Sequence, residues 1–176
     1  MKPRPRLLAR IALFSALIYV LSWVTVYIPN VNLIFYIVFS AGFLWGAMTG
    51  VLVGAIGMGL WTMFNPYGPA DIPVMCAQVV GASLSGPIGA LFAHSDWQSR
   101  SPFARALLMV ASGMLCSLLF YLLVNTVDAW VYQPFWPRFT VGLAWTSVAV
   151  GANAVIFPLL FGVVRLLYER EKHKNG

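Results

Sequence analysis

Four stretches of the chain are apolar for long enough to cross a bilayer as helices: residues 7–28, 73–94, 103–125 and 139–164. A hydrocarbon core about 30 Å thick calls for about 20 mainly apolar residues. Between the first two lies a run from Leu33 to Phe64, 32 residues without a charge, too long for one ordinary span and short for two full ones. Lys and Arg separate the two cases, because short cytoplasmic loops collect them. Read as one helix, the run gives five spans, with five basic residues inside and six outside. Read as two, it gives six spans. Lys2, Arg4, Arg6, Arg10, Arg100, Arg105, Arg165, Arg170, Lys172 and Lys174 then share the cytoplasmic side, and only Arg138 is outside. The pattern therefore predicts an all-α integral membrane protein, a bundle of six transmembrane helices with both termini cytoplasmic. The central run becomes a hairpin of residues 33–47 and 51–64 turning around Thr49 and Gly50 on the cytoplasmic side.

The basic start from Met1 to Arg10 is what a signal peptide would show, but the apolar run continues for about 20 residues and Ser22-Trp23 is no small-residue cleavage site. A retained first helix is expected. Residues 1–176 read as one membrane domain, with no linker or soluble module and a loop of eight residues from Ser95 to Pro102. Composition agrees: 60% of residues are apolar and 9% charged, with a mean hydropathy of +0.81, where soluble domains carry about 25% charge. The net charge of +6 thus reads as topology and not as a nucleic-acid footprint.

Catalytic chemistry has little to work with. His94 and His173 fall at or beyond cytoplasmic helix ends, and no carboxylate pair lies in mid-membrane. Cys76 and Cys116 are isolated in apolar runs, so neither a disulfide framework nor a metal cluster is implied. No phosphate-binding loop is present, and no cofactor of the chain's own is expected. The chain reads as a non-enzyme.

Small residues mark places where helices approach closely. Ala9, Ala12 and Ala16 recur on the first helix, and Ala12-Leu-Phe-Ser-Ala16 sets two small side chains one turn apart on one face. Such a face either docks a partner helix or packs inside the bundle. Gly46, Gly50, Gly54, Ala55, Gly57 and Gly59 form a second set, suited to packing the two short helices.

With six spans, the unusual polar and aromatic residues gather on the outer side. The first outer loop is Pro29-Asn30-Val31-Asn32 and the second runs from Asn65-Pro66-Tyr67-Gly68 to Asp71. The third contains Asn125, Asp128, Trp130, Tyr132, Gln133, Trp136 and Arg138. Aromatic faces beside a few fixed donors and acceptors suit a pocket for a small flat or amphipathic molecule, although Trp and Tyr also form the ordinary interfacial belt. Asp71, Asp128 and Arg138 either solvate the rim or pair with one another. Gln78, about two turns into its helix, and Asn153 in the last helix each need a partner from a neighbouring helix or a ligand. Asn30, Asn32, Asn65, Tyr67, Asp71, Gln78, Asn125, Asp128, Trp130, Tyr132, Trp136, Arg138 and Asn153 are thus the candidate binding residues.

The chain resembles the S components of energy-coupling factor (ECF) transporters. The likeness rests on size, six spans with both ends inside, the Ala12/Ala16 pair after a basic start, and the segments from Pro29-Asn30-Val31-Asn32 through Asn65-Pro66-Tyr67-Gly68 to Ala77-Gln78. It implies a subunit of a bacterial cytoplasmic membrane that captures a vitamin or other micronutrient on the outer face. Its partners would be a transmembrane coupling protein and two cytoplasmic ATPases. It also implies that Ala12 and Ala16 dock on the coupling protein, and that the subunit topples in the membrane to carry its occupied site inward. Nickel and cobalt members use a His near the N-terminus, which this chain lacks, so the resemblance favours an organic substrate such as a flavin, pterin, thiamine or corrinoid. For a corrinoid, Cys76 would be the cobalt ligand to test. A solitary facilitator, or an assembly subunit with no ligand, stand as the alternatives.

Overall fold

The computed structural model describes residues 5–28 and 30–175, the last three by backbone alone. Lys2, Arg4, Pro29 and the side chains of His173 and Lys174 lie outside the described residues. Seven helical segments follow one another: α1 Pro5–Thr25, α2 Ile34–Trp45, α3 Ala47–Phe64, α4 Ile72–Ser83, α5 Ser85–His94, α6 Pro102–Tyr132 and α7 Phe135–Asn175. Between α4 and α5, Leu84 keeps helical angles (φ −61°, ψ −23°). The two segments therefore make one apolar stretch, Ile72–His94. The fold is a six-helix membrane bundle.

Contacts fix the direction of each pass. Arg10 of α1 pairs with Glu171 near the end of α7, and its guanidinium lies 5.0 Å from the Trp45 ring centre at the end of α2. Trp97, in the loop after α5, packs on Phe43, Phe161 and Tyr168. The beginning of α1 and the end of α7 therefore share one end of the bundle. At the opposite end the Tyr19 hydroxyl, about two and a half turns further along α1, donates to the carbonyl of Phe64.

The central hairpin turns at Gly46, not at Thr49 and Gly50 as the pattern predicts. Gly46 has φ +92° and ψ 163°, a conformation that a Cβ forbids. Thr49 and Gly50 already lie in α3, where Gly50 serves a packing role. A Cβ on Gly50 would sit 2.5 Å from the Cα of Gly86 in α5 and 3.0 Å from the Cα of Gly42 in α2. Three helices thus meet backbone to backbone at one point. Gly89 adds a further close approach to the Phe39 carbonyl, and Gly57 receives Ile18 of α1. Gly59 meets nothing.

With 12 residues, α2 is only about 18 Å long. Its residues Ile34 to Phe43 are all buried, so it is jacketed by helices and need not match the bilayer. A helix apolar on every side is a buried one. The other ends depart from the predicted boundaries too. α1 stops at Thr25 and not at 28, while α6 and α7 run on through the expected third outer loop. That loop shrinks to Gln133 and Pro134, and Asn125, Asp128, Trp130 and Tyr132 are helical residues of α6, as Trp136 and Arg138 are of α7. A helix tolerates polar residues that face a neighbouring helix or water, so the polar shift at residue 125 does not mark the helix end. On α1, Ile11, Ser15, Ile18 and Ser22 face the bundle. Ala9, Ala12 and Ala16 are exposed on the other side, so this small-residue face is not used for packing within the chain.

Candidate functional site

At the end away from the termini the bundle is hollow. One cavity of about 440 Å³ lies between the last turn of α1, the loop to α2, α3 and α6. A second, of about 700 Å³, lies between α4, α6 and the first turns of α7. Both are lined by Asn30, Gln78, Tyr121, Val124 and Asn125, which form their common wall.

The first cavity is aromatic below and polar at the wall. Phe35, Met58, Trp61, Phe120 and Tyr121 supply apolar surface, and Ser22, Thr25, Asn30, Asn32, Gln78 and Asn125 supply hydrogen-bonding groups. Local structure positions the polar set. Asn30 takes φ +58°, a left-handed conformation that Asn tolerates better than most residues. Its Oδ1 accepts from the Tyr121 hydroxyl at 3.0 Å. Asn32 Oδ1 accepts from the Ile34 amide at 3.2 Å, at the start of α2. The Asn125 amide nitrogen donates to Thr146 Oγ1 of α7 at 2.9 Å. Gln78 has a buried Oε1 with no hydrogen-bond partner among the described residues.

The loop after α3 borders this end. Asn65 is spent on shaping it: Nδ2 donates to the carbonyls of Trp61 (3.1 Å) and Gly68 (3.0 Å), while Oδ1 accepts from the Tyr67 amide (2.9 Å). Tyr67, itself on the wall of the first cavity, donates its hydroxyl to the Val26 carbonyl at 3.2 Å. The second and first outer loops are thereby joined. Around the second cavity runs a charged rim. Arg138 Nε donates to Asp128 Oδ2 at 3.1 Å, the guanidinium lies 4.9 Å from the Tyr132 ring centre, and the Tyr132 hydroxyl donates to Asp71.

Among the residues singled out from the sequence, Asn30, Asn32, Tyr67, Gln78 and Asn125 come together in the first cavity, and Asp128 and Arg138 join in the second. Asn65, Asp71 and Tyr132 sit around them without lining either. Trp130 and Trp136, each 71% exposed, point away from both. Asn153 is fully buried elsewhere, where Nδ2 donates to the Ala149 carbonyl at 2.9 Å. Cys76 is exposed and lines neither cavity. No group of three His, Cys, Asp or Glu that could hold a metal ion occurs among the described residues. Phe35, Met58, Trp61, Phe120, Tyr121 and Trp145 escaped sequence reasoning because apolar side chains inside spans look the same whether they face lipid, core or ligand. Only Tyr121 carried a usable signal, a hydroxyl in an apolar run.

A family model described as ECF-type riboflavin transporter, S component, matches residues 4–166. The chain belongs to this family. Neither the curated proteins nor the solved structures yield a match. The chain is thus an S component, the substrate-binding kind of subunit in ECF transporters, with a multi-pass membrane fold. The Ala12/Ala16 face and the paired cavities lie within the matched residues.

Proposed function

We propose that this S component captures riboflavin at the outer face of a bacterial cytoplasmic membrane and delivers it through a coupling protein and two ATPases. The observation that carries the reading is the cavity of about 440 Å³, within the range of about 300–1,000 Å³ usual for small-molecule sites. Riboflavin is a flat ring system with a heteroatom-rich edge and a polyhydroxyl chain. Phe35, Trp61 and Phe120 offer the ring apolar and aromatic surface. Asn30, Asn32, Gln78 and Asn125 offer both donors and acceptors to its edge. The adjoining cavity gives a chain attached to the ring somewhere to go, toward Asp128 and Arg138.

On this reading both termini are cytoplasmic, in keeping with the basic residues at their end of the bundle. The exposed Ala12/Ala16 face of α1 receives a helix of the coupling protein, for which small side chains permit close approach. ATP is hydrolysed by the partners, and the chain itself performs no catalysis. The test is mass spectrometry of small molecules released from gently purified protein, followed by a tryptophan-quenching titration with riboflavin. One stoichiometric flavin, with saturable quenching, is the expected result. A different stoichiometric molecule would replace riboflavin as the substrate, and no ligand with no quenching across a vitamin panel would sink the capture role.

A further inference from the structure

Gln78 stands in the wall shared by both cavities, and its Oε1, closed to water, has no hydrogen-bond partner among the described residues; a turn about the terminal torsion of the side chain, which is broad, aims the amide edge at the cavity. Leaving a buried carbonyl unsatisfied costs stability, and such atoms are rare in native proteins. The neighbouring amides are already oriented. Thr146 commits its single hydroxyl proton to the Gly142 carbonyl at 2.8 Å, so toward Asn125 it can only accept. Asn125 must therefore turn its nitrogen to Thr146, leaving Oδ1 as an acceptor. Gly142 is part of this arrangement, since a Cβ there would lie 2.6 Å from Asn125 Cγ. Asn30 stands in the opposite sense. Its Oδ1 takes the Tyr121 hydroxyl, which leaves Nδ2 as a donor.

Gln78 is the one amide of this wall whose carbonyl has neither been satisfied nor been pinned by the fold. A primary amide presents an acceptor and a donor side by side in one plane. That pattern complements a cyclic amide or imide, in which a ring N–H lies beside a ring carbonyl. We propose that Gln78 is the specificity-determining residue of the site, pairing edge to edge with the imide of a flat heterocyclic substrate. The inference rests on the riboflavin-capture reading and adds to it the group by which the ring is distinguished.

The test titrates riboflavin, and riboflavin methylated on its imide nitrogen, into the full-length protein and its Gln78→Met and Gln78→Glu variants. The unmodified protein is expected to prefer riboflavin about tenfold, the scale of one buried hydrogen bond and its unpaired remainder. Gln78→Met, close to isosteric, should bind both ligands alike, with riboflavin weakened about tenfold. Without ligand it should melt no lower than the unmodified protein, because it deletes an unsatisfied carbonyl. Gln78→Glu retains the acceptor for the ring N–H and loses the donor, so it should bind both ligands more weakly while still preferring riboflavin. An undiminished preference in Gln78→Met overturns the inference while leaving capture intact. Failure of the unmodified protein to bind riboflavin overturns the substrate reading first, and this inference with it.

Discussion

The two ends of this bundle are built from the same helices by opposite means. Near the termini, Gly42, Gly50 and Gly86 bring three backbones into contact, and Phe43, Phe92, Trp97, Phe161 and Tyr168 fill the space beside them with rings 5.2–6.5 Å apart. At the other end cavities open between the helices, one of them between α4, α6 and α7, and amides and a tyrosine line the gap. Where a helix carries glycine it can close on its neighbour; where it carries Gln78, Tyr121 or Asn125 it cannot without stranding polar atoms. The sealed end anchors the helices so that the open end can hold a fixed cavity. Pre-organisation of this kind lowers the ordering cost of binding.

The strongest way to break the contrast is to add bulk at the sealed end. A Cβ on Gly86 would lie 2.6 Å from the Gly50 carbonyl carbon and 2.7 Å from the Val51 nitrogen, atoms that cannot rotate away. Gly86→Val should destabilise by about 3 kcal/mol or more, seen as loss of monodisperse protein in detergent. Gly162→Ala, which meets nothing, should melt like the unmodified chain.

On the outside of the bundle the expected effect falls on transport alone. Ala16→Trp should abolish uptake in cells while riboflavin titration of the purified protein stays unchanged, because Ala16 is exposed on the face of α1 turned from the cavity. Equal loss of uptake and binding would remove the docking role. At the open end, Tyr67→Ala and Trp61→Ala should each weaken binding by about 1 kcal/mol, close to fivefold. Trp130→Ala and Trp136→Ala should leave it unaltered, since neither residue lines a cavity. The smallest effect is expected at the rim. Tyr132→Phe removes the donor to Asp71 and should change affinity or release rate no more than about twofold, the scale of an exposed hydrogen bond.

Legibility followed the same division. The six spans could be read from hydropathy and the placement of Lys and Arg, since water and lipid act on each segment by itself. Asn30, Asn32, Tyr67, Gln78 and Asn125 could be suspected because a polar group near or inside an apolar span needs a reason to be there. Trp130 and Trp136 looked as eligible as Tyr67, because an aromatic side chain suits both a pocket and the membrane interface. Which of these a given ring serves depends on its direction around a helix that was itself expected to be a loop. The hairpin turn is hidden in the sequence for a related reason: Gly46 and Gly50 look alike there. One is needed for its positive φ and the other for the missing Cβ against Gly86.

The sequence by itself determined that this chain lives in a membrane and that it crosses six times. Those properties depend on transfer free energies and on residue types being present or absent, and both are sums over the chain. Tertiary structure alone decided that Ala12 and Ala16 face outward, that Asn153 and Cys76 stand apart from the cavities, and that Thr146 turns the Asn125 amide while Gln78 keeps its carbonyl unpaired. These depend on which helices meet and at what rotation. Packing settles that through contacts between residues as far apart as Gly50 and Gly86, or Asn30 and Tyr121.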